Sequence, residues 1–366
     1  MKIRAAVARG DKKIGIESVD LDAPRHTEIL VRLVAVGLCH TDVSALEGVL
    51  PVPFPIVLGH EGAGVVEAVG ESVTGVSAGD HVVVTYDYCG GCSTCEEHKF
   101  ANCHNVGPMN FGGSRPDGTS PLSQNGMMIH GSFFGQSSFA SYALCTERNV
   151  IKVRKDAPLE MLGPLACGLQ TGAGAVLNAL KVERDSSFAV FGAGAVGLSA
   201  VMAAKRAGAK QIIVVDVVES RLTLALELGA TNVIDARNSD ALKEILLLSN
   251  GGVNFSLDTS GVVQAMEQAV ACLAPCGSCG LLAGVDPATA IRIYPFQLLN
   301  GRSVRGIIEG ETHDPGTFIP AMVDWFMNGE FPFDKLVRFY SFDEIQSAIA
   351  DSKSGHAIKP ILRIDG

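Results

Sequence analysis

The chain has 366 residues, which is too many for one average domain and enough for two at roughly 150 residues each. Hydrophobic residues make up 47% of it and charged residues 19%, which excludes intrinsic disorder. The formal net charge of −10 excludes the general electrostatic footprint of a protein that binds nucleic acid. The ten cysteines can form disulfides, bind metal or pack in a core, and their positions in the sequence are needed to choose between these roles.

Residues 1 to about 150 predict strands and turns, because short Val-rich runs such as ILVRLVAVG and DHVVVTY alternate with Gly, Pro and Asp. The N-terminal residues lack the uninterrupted apolar segment of a secretory signal. No apolar run approaches the roughly 18 residues that cross a bilayer. We therefore expect a cytoplasmic protein with no membrane partner. In that compartment clustered cysteines are metal ligands more often than disulfides.

Four cysteines follow at short spacing in the segment YCGGCSTCEEHKFANC, namely Cys89, Cys92, Cys95 and Cys103. Four thiolates this close suit a closed tetrahedral zinc site, which has no open position and is structural. An iron–sulfur cluster and two disulfides are the alternatives. The spacing matches neither ferredoxin pattern, and the compartment argues against disulfides, so structural zinc is favoured. The Gly-, Ser- and Pro-rich stretch at 112–126 is interpreted as a surface excursion.

From about residue 188 strand-like and helix-like runs alternate, which predicts βαβ units and a parallel sheet. A G-x-G-x-x-G motif follows the apolar strand SFAVF and opens a helix. It consists of Gly192, Ala193, Gly194, Ala195, Val196 and Gly197. In this context the glycines permit a tight turn, close approach to a pyrophosphate and close packing of helix on strand. The motif therefore predicts a dinucleotide site.

Asp216 ends the next strand, 19 residues after Gly197, where a carboxylate can bond the ribose hydroxyls of an adenosine. A 2′-phosphate there would meet this carboxylate, and Val217 and Val218 supply no cation, so NAD is favoured over NADP. Arg221 weakens that preference, because its guanidinium can bond either a phosphate or the ribose.

Three further cysteines form a C-x3-C-x2-C pattern within ACLAPCGSCGLLAG, a context that predicts a helix end, a turn and a buried strand. We interpret Cys272, Cys276 and Cys279, together with Cys145, as packing residues. The chain closes with two helix-like stretches and the strand-like AIKPILRID, which the pattern alone assigns to neither part.

The segment GHEGAGVVEAVGESV at 59–73 carries a family resemblance, together with Cys39 upstream, Cys167 downstream, the four-cysteine segment and the Rossmann glycines in order. It resembles the zinc-containing alcohol dehydrogenases of the medium-chain dehydrogenase/reductase family over nearly the whole chain. The runs SFFGQSSFASY and PLACGLQTGAG look closest to the aryl and allylic alcohol branch, of which benzyl alcohol dehydrogenases are typical.

The resemblance implies an α/β fold in which a Rossmann domain, with a doubly wound parallel sheet, is inserted in a GroES-like β-rich catalytic domain. The catalytic domain would comprise residues 1–168 and 309–366, with a structural zinc lobe at about 86–106, and the Rossmann NAD-binding domain residues 169–308. The active site would lie in the cleft between the domains. Strand-like SVRGIIEG would pair with its copy, so a homodimer is expected and a homotetramer is the alternative.

By the same resemblance, Cys39, His60 and Cys167 would be the three protein ligands of a catalytic zinc whose fourth position stays open. Asp42 would accept a hydrogen bond from the imidazole of His60, and Glu61 would lie behind the metal without being an obligatory ligand. Two zinc ions per chain are therefore expected, one catalytic and one structural.

The resemblance also assigns a proton path, in which Thr41 takes the proton of the alcohol. Many relatives pass this proton to a histidine five residues after the first cysteine ligand, where this chain has Ser44. Contacts to NAD are implied in the same way. His40 would meet the pyrophosphate and Lys359 would be a second cation at the phosphates. The nicotinamide would be bordered by Thr171 and by the backbone of Ala283, Gly284 and Val285.

Together these features predict reversible oxidation of primary aromatic or allylic alcohols to aldehydes by hydride transfer to NAD. The alternatives are a thiol-adduct formaldehyde dehydrogenase, another medium-chain alcohol dehydrogenase with a different alcohol, and a non-enzymatic cofactor-binding protein. Phe133, Phe134 and Phe139 favour an apolar subsite over the polar one that a thiol adduct needs. An open metal site beside Thr41 argues against a mere binding protein.

Overall fold

A computed structural model describes residues 1–282 and 288–364. The chain divides into two compact units. The first contains Met1–Cys167, His313–Asn328 and the chain from Phe333 onward, and the second contains Gly168–Thr312 and Gly329–Pro332. The first junction lies within one residue of the expected position. The second junction lies four residues after its expected position, because residues 309–312, expected in the catalytic domain, belong to the second unit.

Both units contain strands. The strands of the described residues are β1 Lys2–Ala8, β2 Ile14–Leu21, β3 Glu28–Gly37, β4 Ile56–Val57, β5 Glu61–Val69, β6 His81–Val84, β7 Leu122–Gln124, β8 Met127–Ile129, β9 Tyr142–Thr146, β10 Val150–Lys152, β11 Ser187–Phe191, β12 Gln211–Asp216, β13 Asn232–Asp235, β14 Val253–Asp258, β15 Leu273–Leu281, β16 Ser303–Gly306, β17 Val337–Ser341 and β18 Lys359–Arg363.

The α-helices are mostly short in the first half of the chain and mostly longer in the second. Those of the described residues are α1 His40–Glu47, α2 Ser93–Glu96, α3 Val106–Phe111, α4 Leu159–Leu162, α5 Gly168–Gly174, α6 Ala195–Ala207, α7 Glu219–Leu228, α8 Ala241–Leu248, α9 Val263–Ala271, α10 Pro295–Leu298, α11 Pro315–Met327 and α12 Ile345–Ser354. Within the described ranges, no helix has the length and apolar character that a membrane span requires.

The first unit is built from two sheets. One has the strand order β4-β1-β2-β7-β8, and the other runs β10-β6-β5-β3-β18-β17 with β9 also paired to β3. Their apolar side chains share one buried cluster that includes Val7, Val36 and Leu362. Strand β18 lies antiparallel to β3, with Leu362 opposite Val36. This pairing assigns the closing strand to the first unit, which the sequence pattern alone left open.

The second unit is a six-stranded sheet with the order β13-β12-β11-β14-β15-β16, and its neighbouring strands are all parallel. Numbered within the unit, this order is 3-2-1-4-5-6, the arrangement of a dinucleotide-binding Rossmann fold. The first βα turn, between β11 and α6, contains the glycine motif. The predicted doubly wound parallel sheet is therefore confirmed.

The stretch at 112–126 is more than a surface excursion, so that interpretation is wrong in part. Its strand β7 pairs with β2, and the Arg115 side chain, only 5% exposed, contacts Glu28 at 2.6 Å and Asp22 at 2.8 Å. A Gly-, Ser- and Pro-rich composition predicts turns but does not reveal that a single arginine has a buried partner 87 residues away.

The packing interpretation of the four remaining cysteines is confirmed for Cys145, Cys272 and Cys279, which are all buried. It is wrong for Cys276, which is exposed. The backbone of Cys276 has a φ of 62°, and the register of β14 against β15 shifts around it, since Val253 lies opposite Leu273 but Phe255 lies opposite Ser278. A bulge of this kind turns one residue of a strand outward.

Candidate active site

The site begins at the start of α1, immediately after β3. Cys39 is the N-cap residue of this helix, and its amide donates to Asp42 Oδ2 at 3.0 Å. Amides at the start of a helix have no partner within the helix, so a carboxylate at the third helical position can satisfy one of them. The backbone that carries the Cys39 thiol is thereby fixed by Asp42.

The other oxygen of Asp42 organises a second segment. Asp42 Oδ1 accepts the Gly59 amide at 3.0 Å and lies 2.9 Å from His60 Nδ1. Because a carboxylate only accepts, Nδ1 carries a proton, and in the neutral imidazole Nε2 then keeps its lone pair. Nε2 is buried and has no hydrogen-bond partner among the described residues. A buried polar atom in this state implies a partner of another kind, such as a metal ion.

Four potential ligands converge around that nitrogen. The ligand atoms of Cys39, His60, Glu61 and Cys167 all lie within 4.8 Å of one another. Cys167 reaches this point from the turn Gly163–Ala166, and a Cβ on Gly163 would lie 2.2 Å from the Glu61 carbonyl oxygen, so only glycine fits there. The hydrogen bond with Cys167 lowers the pKa of the Cys39 thiol well below its ordinary value, although burial opposes this. The two thiols of Cys39 and Cys167 and the imidazole nitrogen of His60, together called the donor group, form a ligand set that fits zinc.

Lys359 departs from the expectation that it contacts the cofactor phosphates. Its ammonium lies 2.9 Å from both carboxylate oxygens of Glu61 and donates to the Leu38 carbonyl at 3.3 Å. Lys359 is 3% exposed and Glu61 is fully buried. Burial raises the pKa of Glu61 to about 6, against the opposing charge of Lys359. Lys359 is therefore engaged behind the donor group and is not presented to a phosphate.

The remaining predicted residues of this segment lie on α1. Thr41 is half-buried, and its Oγ1 is 3.6 Å from Cys39 Sγ, which places a hydroxyl beside the donor group. His40 is exposed at the start of the same helix, and Ser44 is half-buried one turn further on.

Aromatic side chains cover one side of the donor group. The Phe134 ring stacks on the His60 imidazole with a centroid distance of 4.3 Å, and the edge of Phe133 approaches the same ring at 5.7 Å. Phe139 is buried in the hydrophobic cluster beside the Gly59 backbone and has a packing role. Phe133 and Phe134 are therefore the phenylalanines that give the donor group apolar surroundings.

The four cysteines predicted to bind a structural metal also converge. The ligand atoms of Cys89, Cys92, Cys95 and Cys103 lie within 4.8 Å of one another. Pairwise sulfur distances of 3.5, 3.9 and 4.0 Å far exceed the roughly 2.05 Å of a disulfide bond, and all four cysteines are free thiols. Backbone amides of Cys89 and Asn105 donate to Cys103 Sγ, as expected around a thiolate. The disulfide alternative is excluded, and a tetrahedral zinc ion fits this set.

The glycine motif of the second unit has the geometry that a pyrophosphate requires. Gly192 has a φ of 98°, which favours glycine, and a Cβ on Gly197 would lie 1.9 Å from the Gly192 carbonyl oxygen. A Cβ on Gly194 would meet nothing within 4 Å, so the space above the turn is open. The 13-residue helix α6 begins there, and its N-terminus favours an anion. The turn therefore fits the phosphates of a dinucleotide.

Asp216 lies at the end of β12 beside this turn. Its carboxylate accepts the Ala193 amide at 2.6 Å and the Val217 and Val218 amides at 2.7 and 2.8 Å, which fix its position. Arg221 follows on α7, where its Nε is buried with no hydrogen-bond partner among the described residues. The predicted contacts Ala283, Gly284 and Val285 lie outside the described residues.

One further acid of the second unit was missed by the sequence reasoning. Glu309 contacts Gln170 and Thr171, the latter a predicted neighbour of the nicotinamide. Its segment was considered only as a strand for pairing with a second copy, whereas strand β16 ends at Gly306. No local pattern marks this acid, because its partner Gln170 is 139 residues away.

Comparisons with known proteins match both parts of the chain. A model of the alcohol dehydrogenase GroES-like domain matches residues 25–155, and a zinc-binding dehydrogenase model matches residues 195–327. Geraniol dehydrogenase of Castellaniella defragrans is 43% identical, over 95% of this chain and 94% of its own length. S-(hydroxymethyl)glutathione dehydrogenase of Paracoccus denitrificans is 36% identical over 99% and 100%.

A solved structure gives the same result. Benzyl alcohol dehydrogenase from Acinetobacter calcoaceticus superposes with a TM-score of 0.97 at 45% identity, over 100% of both chains. The chain therefore belongs to the zinc-containing alcohol dehydrogenases of the medium-chain dehydrogenase/reductase family, near the aryl and allylic alcohol branch. The predicted combination of a GroES-like domain with a Rossmann domain is confirmed.

The four-cysteine cluster generates the first testable prediction. Cys95→Ser removes one of four soft ligands from a closed site, so the zinc content measured by elemental analysis should fall by about one ion per chain. Cys276→Ser is the matched control, because this exposed cysteine belongs to neither cluster and its loss should leave the zinc content unchanged. An unchanged zinc content in Cys95→Ser would contradict a metal at this cluster.

Proposed function

We propose that this protein catalyses the reversible, zinc- and NAD-dependent oxidation of primary aromatic or allylic alcohols to aldehydes. The observation that carries the proposal is the buried group of Cys39, His60 and Cys167, with an unpartnered imidazole nitrogen and an aromatic ring stacked against it. Relatives named for geraniol, an allylic alcohol, and for benzyl alcohol support the substrate class.

The residues of the first unit would act as follows. Cys39, His60 and Cys167 would hold a catalytic zinc ion, which when bound supplies Lewis-acid stabilisation of negative charge on the alcohol oxygen. Asp42 holds the His60 ring in the tautomer that directs Nε2 to the metal. Glu61 stays behind the donor group, bound to Lys359, and is not an obligatory ligand.

Thr41 is proposed to take the proton of the alcohol on its Oγ1, which lies beside the donor group. Ser44, where many relatives have a histidine, is a poor terminal base. The proton therefore leaves through water or the cofactor ribose and not through a side chain at this position. Phe133 and Phe134, both buried against the His60 ring, limit water at this site and make its surroundings apolar, which favours an aromatic or allylic substituent.

In the second unit the turn of Gly192–Gly197 would hold the pyrophosphate of NAD, which when bound supplies the hydride acceptor. Asp216 is proposed to bond the adenosine ribose, which favours NAD over NADP, with Arg221 as a further contact. His40, exposed on α1, is the proposed pyrophosphate contact. Thr171, with the backbone of Ala283, Gly284 and Val285, is proposed to border the nicotinamide.

The assembly and compartment are proposed on separate grounds. Strand β16 is an edge of the six-stranded sheet, and large apolar side chains are exposed on α10 and just after it, with Phe296 81% and Leu299 72% exposed. An uncovered edge strand beside apolar surface favours pairing with a second copy, hence a homodimer, with a homotetramer as the alternative. None of the ten cysteines, all of which lie in the described ranges, forms a disulfide, which fits the reducing cytoplasm.

A substrate panel tests the proposed function. With zinc-loaded protein and NAD, we expect kcat/KM for benzyl alcohol and geraniol to exceed the values for ethanol and for S-(hydroxymethyl)glutathione by more than about tenfold, because only the first pair fills an apolar subsite. NADH formation is followed by absorbance, and NADP replaces NAD in a parallel series. Preference for S-(hydroxymethyl)glutathione would favour the thiol-adduct alternative. If no alcohol in the panel gave NADH, the proposal would be contradicted.

The proton path generates a second prediction for this site. Thr41→Ala removes the hydroxyl beside Cys39 and should lower kcat for benzyl alcohol by about 100-fold or more, the usual size of a proton-transfer contribution. Thr41→Ser, which keeps a hydroxyl, is the matched control and should retain most of the activity. Near-normal turnover of Thr41→Ala would remove Thr41 from the mechanism.

A further inference from the structure

A buried carboxamide lies at the ends of strands β5 and β6, beside the donor group. Gln136 is 2% exposed, and its Nε2 shares its two protons among three backbone carbonyls, those of His60 at 3.0 Å, Val84 at 3.0 Å and Thr85 at 3.1 Å. His60 precedes β5 and Thr85 follows β6, so these two carbonyls lie just beyond the paired strands. Gln136 therefore supplies donors at the point where the ladder of the sheet has ended.

The other end of the carboxamide accepts hydrogen bonds. Gln136 Oε1 accepts the Gly62 amide at 3.2 Å and the Ser138 hydroxyl at 2.7 Å. Because carbonyls surround Nε2 and donors surround Oε1, the orientation of the amide is determined by its partners. Each polar atom of this side chain is hydrogen-bonded, which a buried amide requires if it is not to destabilise the fold.

The turn that carries Gln136 also packs on the His60 ring. Three of its residues, Ser132, Phe134 and Ser137, have φ values of 62°, 52° and 53°, a conformation that is unfavourable for residues with a side chain. Such a backbone persists where the surrounding structure holds it. Phe134 of this turn stacks on the His60 imidazole, while Gln136 binds the His60 carbonyl. The turn thus contacts His60 through both its ring and its backbone.

Thr85 extends this connection to the segment of Cys167. Thr85 Oγ1 donates at 2.7 Å to the carbonyl of Ala166, the residue before Cys167. Both residues are buried, so the hydrogen bond is shielded from water. A path of hydrogen bonds from Gln136 through Thr85 to Ala166 therefore joins the backbone beside Cys167 to that of His60.

Resting on the proposed function, in which Cys39, His60 and Cys167 hold the catalytic zinc ion, we propose that Gln136 is a positioning residue for that ion. Together with Thr85 it holds two of the three ligand-bearing segments at the spacing that the ion requires. Groups behind metal ligands typically contribute about 10- to 100-fold to metal affinity. Since the hydrogen bonds of Gln136 reach the backbone of His60, its role is to retain the ion and not to transfer a proton or hydride.

Release of zinc from the full chain to a chelator, followed with a metal-sensitive dye, tests this inference. Gln136→Met keeps the length of the side chain and removes its hydrogen bonds. The ion whose release abolishes alcohol oxidation should then leave about 10- to 100-fold faster than in the unsubstituted chain, while the ion of the four-cysteine cluster should keep its rate. With Co²⁺ in place of the catalytic ion, the visible absorption, which reports ligand geometry, should change in Gln136→Met.

Asn110→Leu is the matched control for the loss of a buried carboxamide. Asn110 is fully buried, its Nδ2 donates to the carbonyls of Asp87 at 2.9 Å and Val106 at 2.8 Å, and its Oδ1 accepts the Asp87 amide at 2.9 Å. Its replacement should lower the temperature of thermal unfolding, as Gln136→Met does. Because its hydrogen bonds join other segments, the release rate of the catalytic ion and the Co²⁺ spectrum should stay unchanged.

Thr85→Val keeps the shape of the side chain and removes the hydrogen bond to Ala166, and it carries the test if Gln136→Met does not fold. The catalytic ion should then leave about fivefold faster. An unchanged release rate in the folded variant, an equal acceleration of both ions, or the same acceleration of the catalytic ion in Asn110→Leu would overturn the inference. An unsubstituted chain that held only the ion of the four-cysteine cluster would instead contradict the proposed function.

Discussion

The Asp42 carboxylate is the interaction on which the candidate active site depends. One oxygen caps α1 through the Cys39 amide, and the other binds the Gly59 amide and the His60 ring. A single buried anion therefore orders two segments and leaves His60 Nε2 directed at the thiols of Cys39 and Cys167. Without that carboxylate, three hydrogen-bond donors in a buried region would lack an acceptor, at a cost of about 1–3 kcal/mol each.

Each unit contributes its own part of the proposed chemistry. In the first, the pairing of β18 with β3 brings Lys359 under Glu61, so the acid closest to the donor group is neutralised within the fold. In the second, the turn at Gly192 offers a phosphate site, and Glu309 accepts a hydrogen bond from Thr171.

Features encoded by neighbouring residues were predictable from the sequence. The glycines at 192–197 and the cysteines at 89–103 are local patterns whose chemistry follows from spacing, and both have the expected geometry. Cys39, His60 and Cys167 come from three distant segments, so only a family resemblance connected them. Glu309 and the partner of Lys359 were missed because their contacts span 139 and 298 residues, and no local pattern encodes a tertiary contact of that range.

Zinc X-ray absorption on the isolated protein, combined with zinc content, tests the central claim most directly. Six thiolates and one imidazole shared by two ions predict two zinc ions per chain, with an average of three sulfur ligands and one nitrogen or oxygen ligand per ion. One zinc ion per chain surrounded by four sulfur ligands would contradict the account, because Cys39, His60 and Cys167 would then hold no metal.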